Sequence, residues 1–132
     1  MINQIPDGYT KEEWEAYQND PAAYCIKELA NPDSSVRYNA VDILRGLAFD
    51  AVEAIPVLSK LIEKEPDIQV RAHAVFTLKE LCYYVEKDKR EPTIEALNNL
   101  LAKEKEEKVI EEIVDALKDI NALPVESFKL KN

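Results

Sequence analysis

The chain has 132 residues, 46% of them hydrophobic and 33% charged, and its 26 acids against 17 lysines and arginines give a formal net charge of −9. That content is apolar enough for one folded domain that buries roughly two-thirds of its unfolded surface, and too apolar for a disordered segment. The acidic balance offers no basic stripe to displace counterions from phosphate, which excludes a nucleic-acid partner and disfavours an anionic membrane surface, and no apolar run approaches the ~20 residues of a bilayer span.

Only two glycines occur, Gly8 and Gly46, so hairpin turns and sheets have little raw material and the chain reads as all-α. The N-terminal MINQIPDGYTKEE has neither the basic nor the apolar region of a signal peptide. Cys25 and Cys82 sit in apolar helical patterns as small buried hydrophobes, with no disulfide expected, and the expected location is cytoplasmic.

In chain order, Thr10 with Glu13 forms a capping-box pattern that predicts a helix over 10–20, closed by Pro21. Trp14 and Tyr17 from this helix, with Tyr24, are expected to cover one end of the fold. Three helical pairs follow, in segments 21–48, 51–86 and 91–121. Their first helices are predicted over 21–30, 51–64 and 91–103, and their second over 34–48, 68–86 and 106–121. The breaks within the pairs read NPDSS, EKEPDIQ and KEKEEK. Pro32 and Pro66 end the first helices, and Asp33 and Asp67 stand where a side-chain oxygen can accept from free helix N–H groups. The charged run Glu86–Glu91 is expected as a solvated loop or an added helical turn. The tail 122–132 carries Pro124 and has no helical period; it either folds back through Val125 and Phe128 or stays loose.

The pairs repeat one another. VRYNAVDIL at Val36–Leu44 returns as VRAHAVFTL at Val70–Leu78, 34 residues on, and more loosely as VIEEIVDAL at Val109–Leu117, a further 39 residues on. Between the second and third units Ile55, Leu58, Leu61, Ile62 and Val70 map onto Ile94, Leu97, Leu100, Leu101 and Val109 without a gap. A period of this length marks stacked two-helix units, each too small to bury its own apolar face. Val36, Val70 and Val109 are expected in equivalent buried places.

Arg37 and Arg71 stand in the first turn of a helix, where the macrodipole disfavours a cation by a few tenths to ~1 kcal/mol. A neighbouring carboxylate would offset that cost, and Asp33 and Asp67 are the candidates within the same phrase. The pattern of apolar helix, P-D-x-x-V-R and A-x-x-x-L resembles the HEAT repeat in its short form, over about residues 22–121. The resemblance implies an α-solenoid of about three hairpins with an extra N-terminal helix. It also implies a structural ladder of Asp33, Arg37, Asp67 and Arg71 along the stack. The third unit departs from the pattern, with Ile110 in place of the arginine and Glu106 in place of the aspartate.

Catalysis is poorly provided for. His73 is the one histidine, neither cysteine belongs to a C-x-x-C pair, no glycine-rich loop exists, and no metal or cofactor is expected. Cys82 follows His73 by nine residues, half a turn out of phase on one helix, so a Cys–His pair is not formed there. A calcium site is disfavoured because the acids are helical and lack loop carbonyls.

In HEAT-like stacks the second helices line the concave surface, which groups three columns: Tyr38, Ala72 and Glu111; Asn39, His73 and Glu112; Asp42, Phe76 and Asp115. From these the expected partner-binding set is Tyr38, Asn39, Asp42, His73, Phe76, Glu112 and Asp115. Phe76 falls where its neighbours are acids, so it either anchors an interface or packs between helices. Glu111, Asp115 and Asp119 lie at i, i+4 and i+8, where like charges cost roughly 0.2–0.5 kcal/mol per pair. A cationic partner relieves that cost, or the face is simply solvated.

The expected function is a non-catalytic protein-binding module or scaffold whose partner is a protein or peptide with a basic surface. The alternatives are an accessory or lyase-like protein that binds a pigment or small substrate, by resemblance to the short HEAT-like bilin lyases, an immunity-type inhibitor of a basic toxin, by analogy, and a unit that self-associates through its exposed end repeat.

Overall fold

Side-chain caps fix where the helices start. Thr10 and Glu13 close a reciprocal box, the Thr10 hydroxyl accepting from Glu13 N at 3.1 Å and Glu13 Oε1 from Thr10 N at 2.8 Å. Asp20, Asp33 and Asp67 then accept from Ala23 N, Ser35 N and Val70 N at 3.1, 2.9 and 3.0 Å. The Ser35 hydroxyl also donates to Asp33, and its hydrogen bonds hold that carboxyl below its usual range.

The computed structural model describes residues 4–126, and Phe128 lies outside them. The elements are α1 (Lys11–Asn19), α2 (Pro21–Glu28), α3 (Ser34–Leu47), a 3-10 segment (Ala48–Ala54), α4 (Ile55–Lys64), α5 (Ile68–Cys82), α6 (Lys87–Lys103) and α7 (Glu107–Asn121). Helices α2/α3, α4/α5 and α6/α7 form three hairpins. They stack so that α4 packs on α6 in one layer while α5 packs on both α3 and α7 in the other. Against α2 lies α1, and Tyr9 gathers the rings of Trp14, Tyr17 and Tyr24 at centroid distances of 5.2, 6.2 and 6.1 Å.

The core follows the repeat. Val41 and Val75, Leu44 and Leu78, Leu58 and Leu97, and Val70 and Val109 are all buried at equivalent places. Val36 is only half-buried, so the three valines are not equivalent as expected. The expected Ile62/Leu101 equivalence also splits, Ile62 being fully buried between hairpins and Leu101 half-buried on the last one.

Three boundaries differ from expectation. Residues 51–54 belong to the 3-10 segment rather than to α4, because the chain turns at Ala48, which takes φ +54°. The second helix of the middle unit stops at Cys82 instead of 86. The charged run after it is helical from Lys87, so the longer step between units two and three is an added helical turn.

That turn carries Arg90, which is 2% exposed. Its guanidinium donates to the main-chain carbonyls of Cys82, Val85, Pro124 and Glu126 at 3.1, 2.9, 2.6 and 3.4 Å. With Lys87 N donating to Val125 O at 3.0 Å, it ties residues 124–126 back onto the start of α6.

Candidate functional site

Helices α3, α5 and α7 lie side by side, and their outward residues form one face. Tyr38 of α3 stacks on His73 of α5 at 4.6 Å between centroids and 16° between planes. His73 lies parallel to Phe76, one turn on, at 6.3 Å and 9°. Lys79 continues the row with its ammonium 4.5 Å from the Phe76 centroid, a cation over a ring face.

Asp42 anchors this row. Its Oδ1 lies 3.0 Å from His73 Nε2 and accepts from Arg45 Nη2 at 3.2 Å. The His73 hydrogen bond first, and Arg45 with it, hold the Asp42 carboxyl below its usual range. An ionised carboxylate only accepts, so His73 Nε2 is the donor in this bond.

Of the expected partner-binding residues, Tyr38, His73, Phe76 and Glu112 line one open depression of about 350 Å³ with Arg45, Gln69, Ala72 and Lys108. Asp42 bonds the histidine from α3, Asn39 is exposed on α3, and Asp115 lies further along α7 beside Lys79. Ala72, placed in a surface column by sequence, is 4% exposed and packs in the core, although it still lines that depression. Tyr83 is 43% exposed and Tyr84 half-buried, their rings 5.4 Å apart.

Two of the three acids at i, i+4 and i+8, Asp115 and Asp119, have an internal answer. Lys79 Nζ reaches across from α5 to Asp115 at 3.3 Å and Asp119 at 3.7 Å, so their mutual repulsion does not by itself call for a cationic partner. Periodicity along α7 could not show this, because the lysine comes from the neighbouring hairpin.

The ladder differs from the one implied by resemblance. Arg37 forks onto Glu65, Nε to Oε1 at 2.9 Å and Nη2 to Oε2 at 2.7 Å. Arg71 forks onto Glu104 at 2.7 and 3.0 Å. Each arginine also donates to a main-chain carbonyl six residues back, Asn31 at 2.9 Å and Glu65 at 2.7 Å. Asp33 and Asp67 cap helices and are not the partners, because the arginines extend across to the next hairpin. A signal was present: an acid closes the first helix in units two and three, where unit one has Asn31, while the arginine occurs in units one and two, where unit three has Ile110.

Neither cysteine is a ready nucleophile: both are buried, and burial pushes each thiol up to about 11. Among the described residues no group of three or more His, Cys, Asp or Glu is arranged to hold a metal ion, and no helix is long and apolar enough to cross a membrane.

Stacked helical hairpins in two layers, with apolar positions recurring from hairpin to hairpin, define an α-solenoid. A family model described as HEAT repeats matches residues 22–118. The chain belongs to the HEAT-repeat family, whose repeats generally mediate protein–protein interaction or scaffolding. No curated protein matches the chain in sequence.

Proposed function

We propose that the chain is a non-catalytic protein-binding module that receives its partner on the face of α3, α5 and α7, over the Tyr38–His73–Phe76 row. The observation that carries this reading is the row itself: three rings held parallel across two hairpins, beside a depression of about 350 Å³. Rings fixed by stacking and by the Asp42 hydrogen bond lose little conformational entropy on binding, so their contact area counts more fully toward affinity.

The partner is a protein or peptide that presents basic groups. Asp42, Asp115 and Asp119 keep side-chain exposures of 49%, 58% and 54%, so each carboxylate has room for a second cation. The net charge of −9 steers basic partners toward the chain and nucleic acid away from it.

Chemical-shift mapping with a panel of arginine- and lysine-containing peptides tests the reading. The expected result is perturbation centred on Tyr38, Asn39, His73, Phe76 and Glu112, weakened by Phe76→Ala and by Asp115→Lys. Shifts that cluster on another face, or that both variants leave unchanged, would sink it.

A further inference from the structure

We infer that the outward face of the third hairpin is a self-association surface, on which a second copy of this chain docks about a two-fold axis with α7 against α7. The motivating comparison is between equivalent positions. Val41 and Val75 are 0% exposed because the next hairpin covers them, whereas Val114, in the same column, is 51% exposed. Leu44 and Leu78 are likewise fully buried, while Leu117 is only partly covered; Leu101 stands in the same relation to Ile62. No helix among those described packs beyond α6 and α7. A hairpin whose outer face met only water would carry polar residues at these places, yet here the apolar set is kept.

Ile110 sharpens the point. In the first two hairpins its position holds an arginine that requires a glutamate from the next hairpin. Isoleucine removes that requirement and extends the apolar stripe, half-buried and outside the core cluster. Whatever covers this face therefore brings apolar side chains rather than a ladder carboxylate.

The charges bordering the stripe make it self-complementary. At about 100° per residue, Lys118 and Glu111 lie about 40° and 60° round the helix from Val114, on one flank. Both are exposed, and neither has an ion-pair partner among the described residues. Two α7 helices running antiparallel and centred on Val114 bring Lys118 of each copy beside Glu111 of the other. An isologous contact repeats every such pairing twice. The opposite end of the stack carries α1 against α2, so the open face meets its own kind more readily than it meets the other end.

Sedimentation equilibrium of the full chain, across a wide concentration range, provides the test. A mass rising from 15.1 kDa toward twice that value is expected. Val114→Glu with Ile110→Arg should raise the dissociation constant by about tenfold or more, since each lost contact counts twice in a two-fold dimer. Because Val114 is exposed, its replacement should leave the thermal melt of the monomer unchanged. Lys118→Glu alone should weaken the dimer and Glu111→Lys with Lys118→Glu should restore it. A particle that stays at 15.1 kDa at every concentration overturns the proposal, and so does a dimer indifferent to both sets of changes. The Tyr38–His73–Phe76 row on α3 and α5 takes no part in this contact, so either result leaves the partner-binding reading to its own test.

Discussion

Arg37 and Glu65, 28 residues apart and on successive hairpins, meet in a two-pronged ion pair in which the carboxylate is 1% and the guanidinium 11% exposed. Glu65 also accepts from Asp67 N at 2.9 Å, and its main-chain carbonyl accepts from Arg71. One residue thus joins the first hairpin to the second and fixes the turn within the second. Removing one member of a buried pair strands the other's charge, at about 3–5 kcal/mol. Glu65→Ala should therefore destabilise by about that amount in urea titration, with Arg37→Met/Glu65→Leu recovering much of the loss. A double variant no better than the single would show that the pair's charge is not the source.

The second rung predicts a pH dependence. The hydrogen bonds from Arg71 hold the Glu104 carboxyl below its usual value of 4.5. A carboxyl depressed in the folded state gives stability that is fully present above its unfolded pKa and is lost as pH falls through the folded one. Thermal melts should therefore lose stability below about pH 4.5. Glu104→Gln should flatten that part of the profile while lowering stability at neutral pH. An equal acid response in the variant would place the titrating group elsewhere.

How much of this was legible in the sequence depends on the range of each interaction. The hairpins could be read because capping is local: Thr10, Asp33 and Asp67 act on backbone two or three residues away, and the apolar spacing of each helix repeats. The ladder arginines could be seen to need a carboxylate, but not which one, since reach between hairpins is a property of the stack. Arg90 was legible only as one charge in a charged run. Its burial depends on carbonyls at the end of α5 and on residues 124–126, which no local pattern brings together. Tyr38, His73 and Phe76 all stood in the expected columns, one in each, but that they stack into a single row across columns did not show. Neither did the lysine that closes it, because cation–ring contact leaves no periodic trace.

Ala48 sets a backbone prediction. Its φ of +54° lies where an L side chain is strained, and the bend there separates α3 from the 3-10 segment. Strain of this kind costs of order 1–3 kcal/mol, while glycine adds roughly 0.5–1 kcal/mol of chain entropy loss on folding. Ala48→Gly should raise stability by up to about 2 kcal/mol, visible as a higher melting temperature. A clear loss of stability would mean that the Ala48 methyl contributes packing that outweighs the relief.

Arg90 yields the last prediction, because it holds charge in the interior with no carboxylate partner among the described residues. Its Nε serves the carbonyls of Cys82, the last residue of α5, and of Val85 in the turn before α6, and Nη1 serves Pro124 O at 2.6 Å. Arg90→Ala leaves those carbonyls short of donors, and unpaired buried acceptors cost about 1–3 kcal/mol each. The global loss should fall at about 3 kcal/mol, since water reaches part of the vacated site. Local effects should be sharper: the Lys87 amide, bonded to Val125 O, should lose hydrogen-exchange protection well before amides in the middle of α5. Arg90→Lys keeps the charge but cannot fork to carbonyls on two sides, so it should fail to restore that protection. A lysine variant that protects the Lys87 amide as well as arginine does would show that positive charge alone holds residues 124–126 in place.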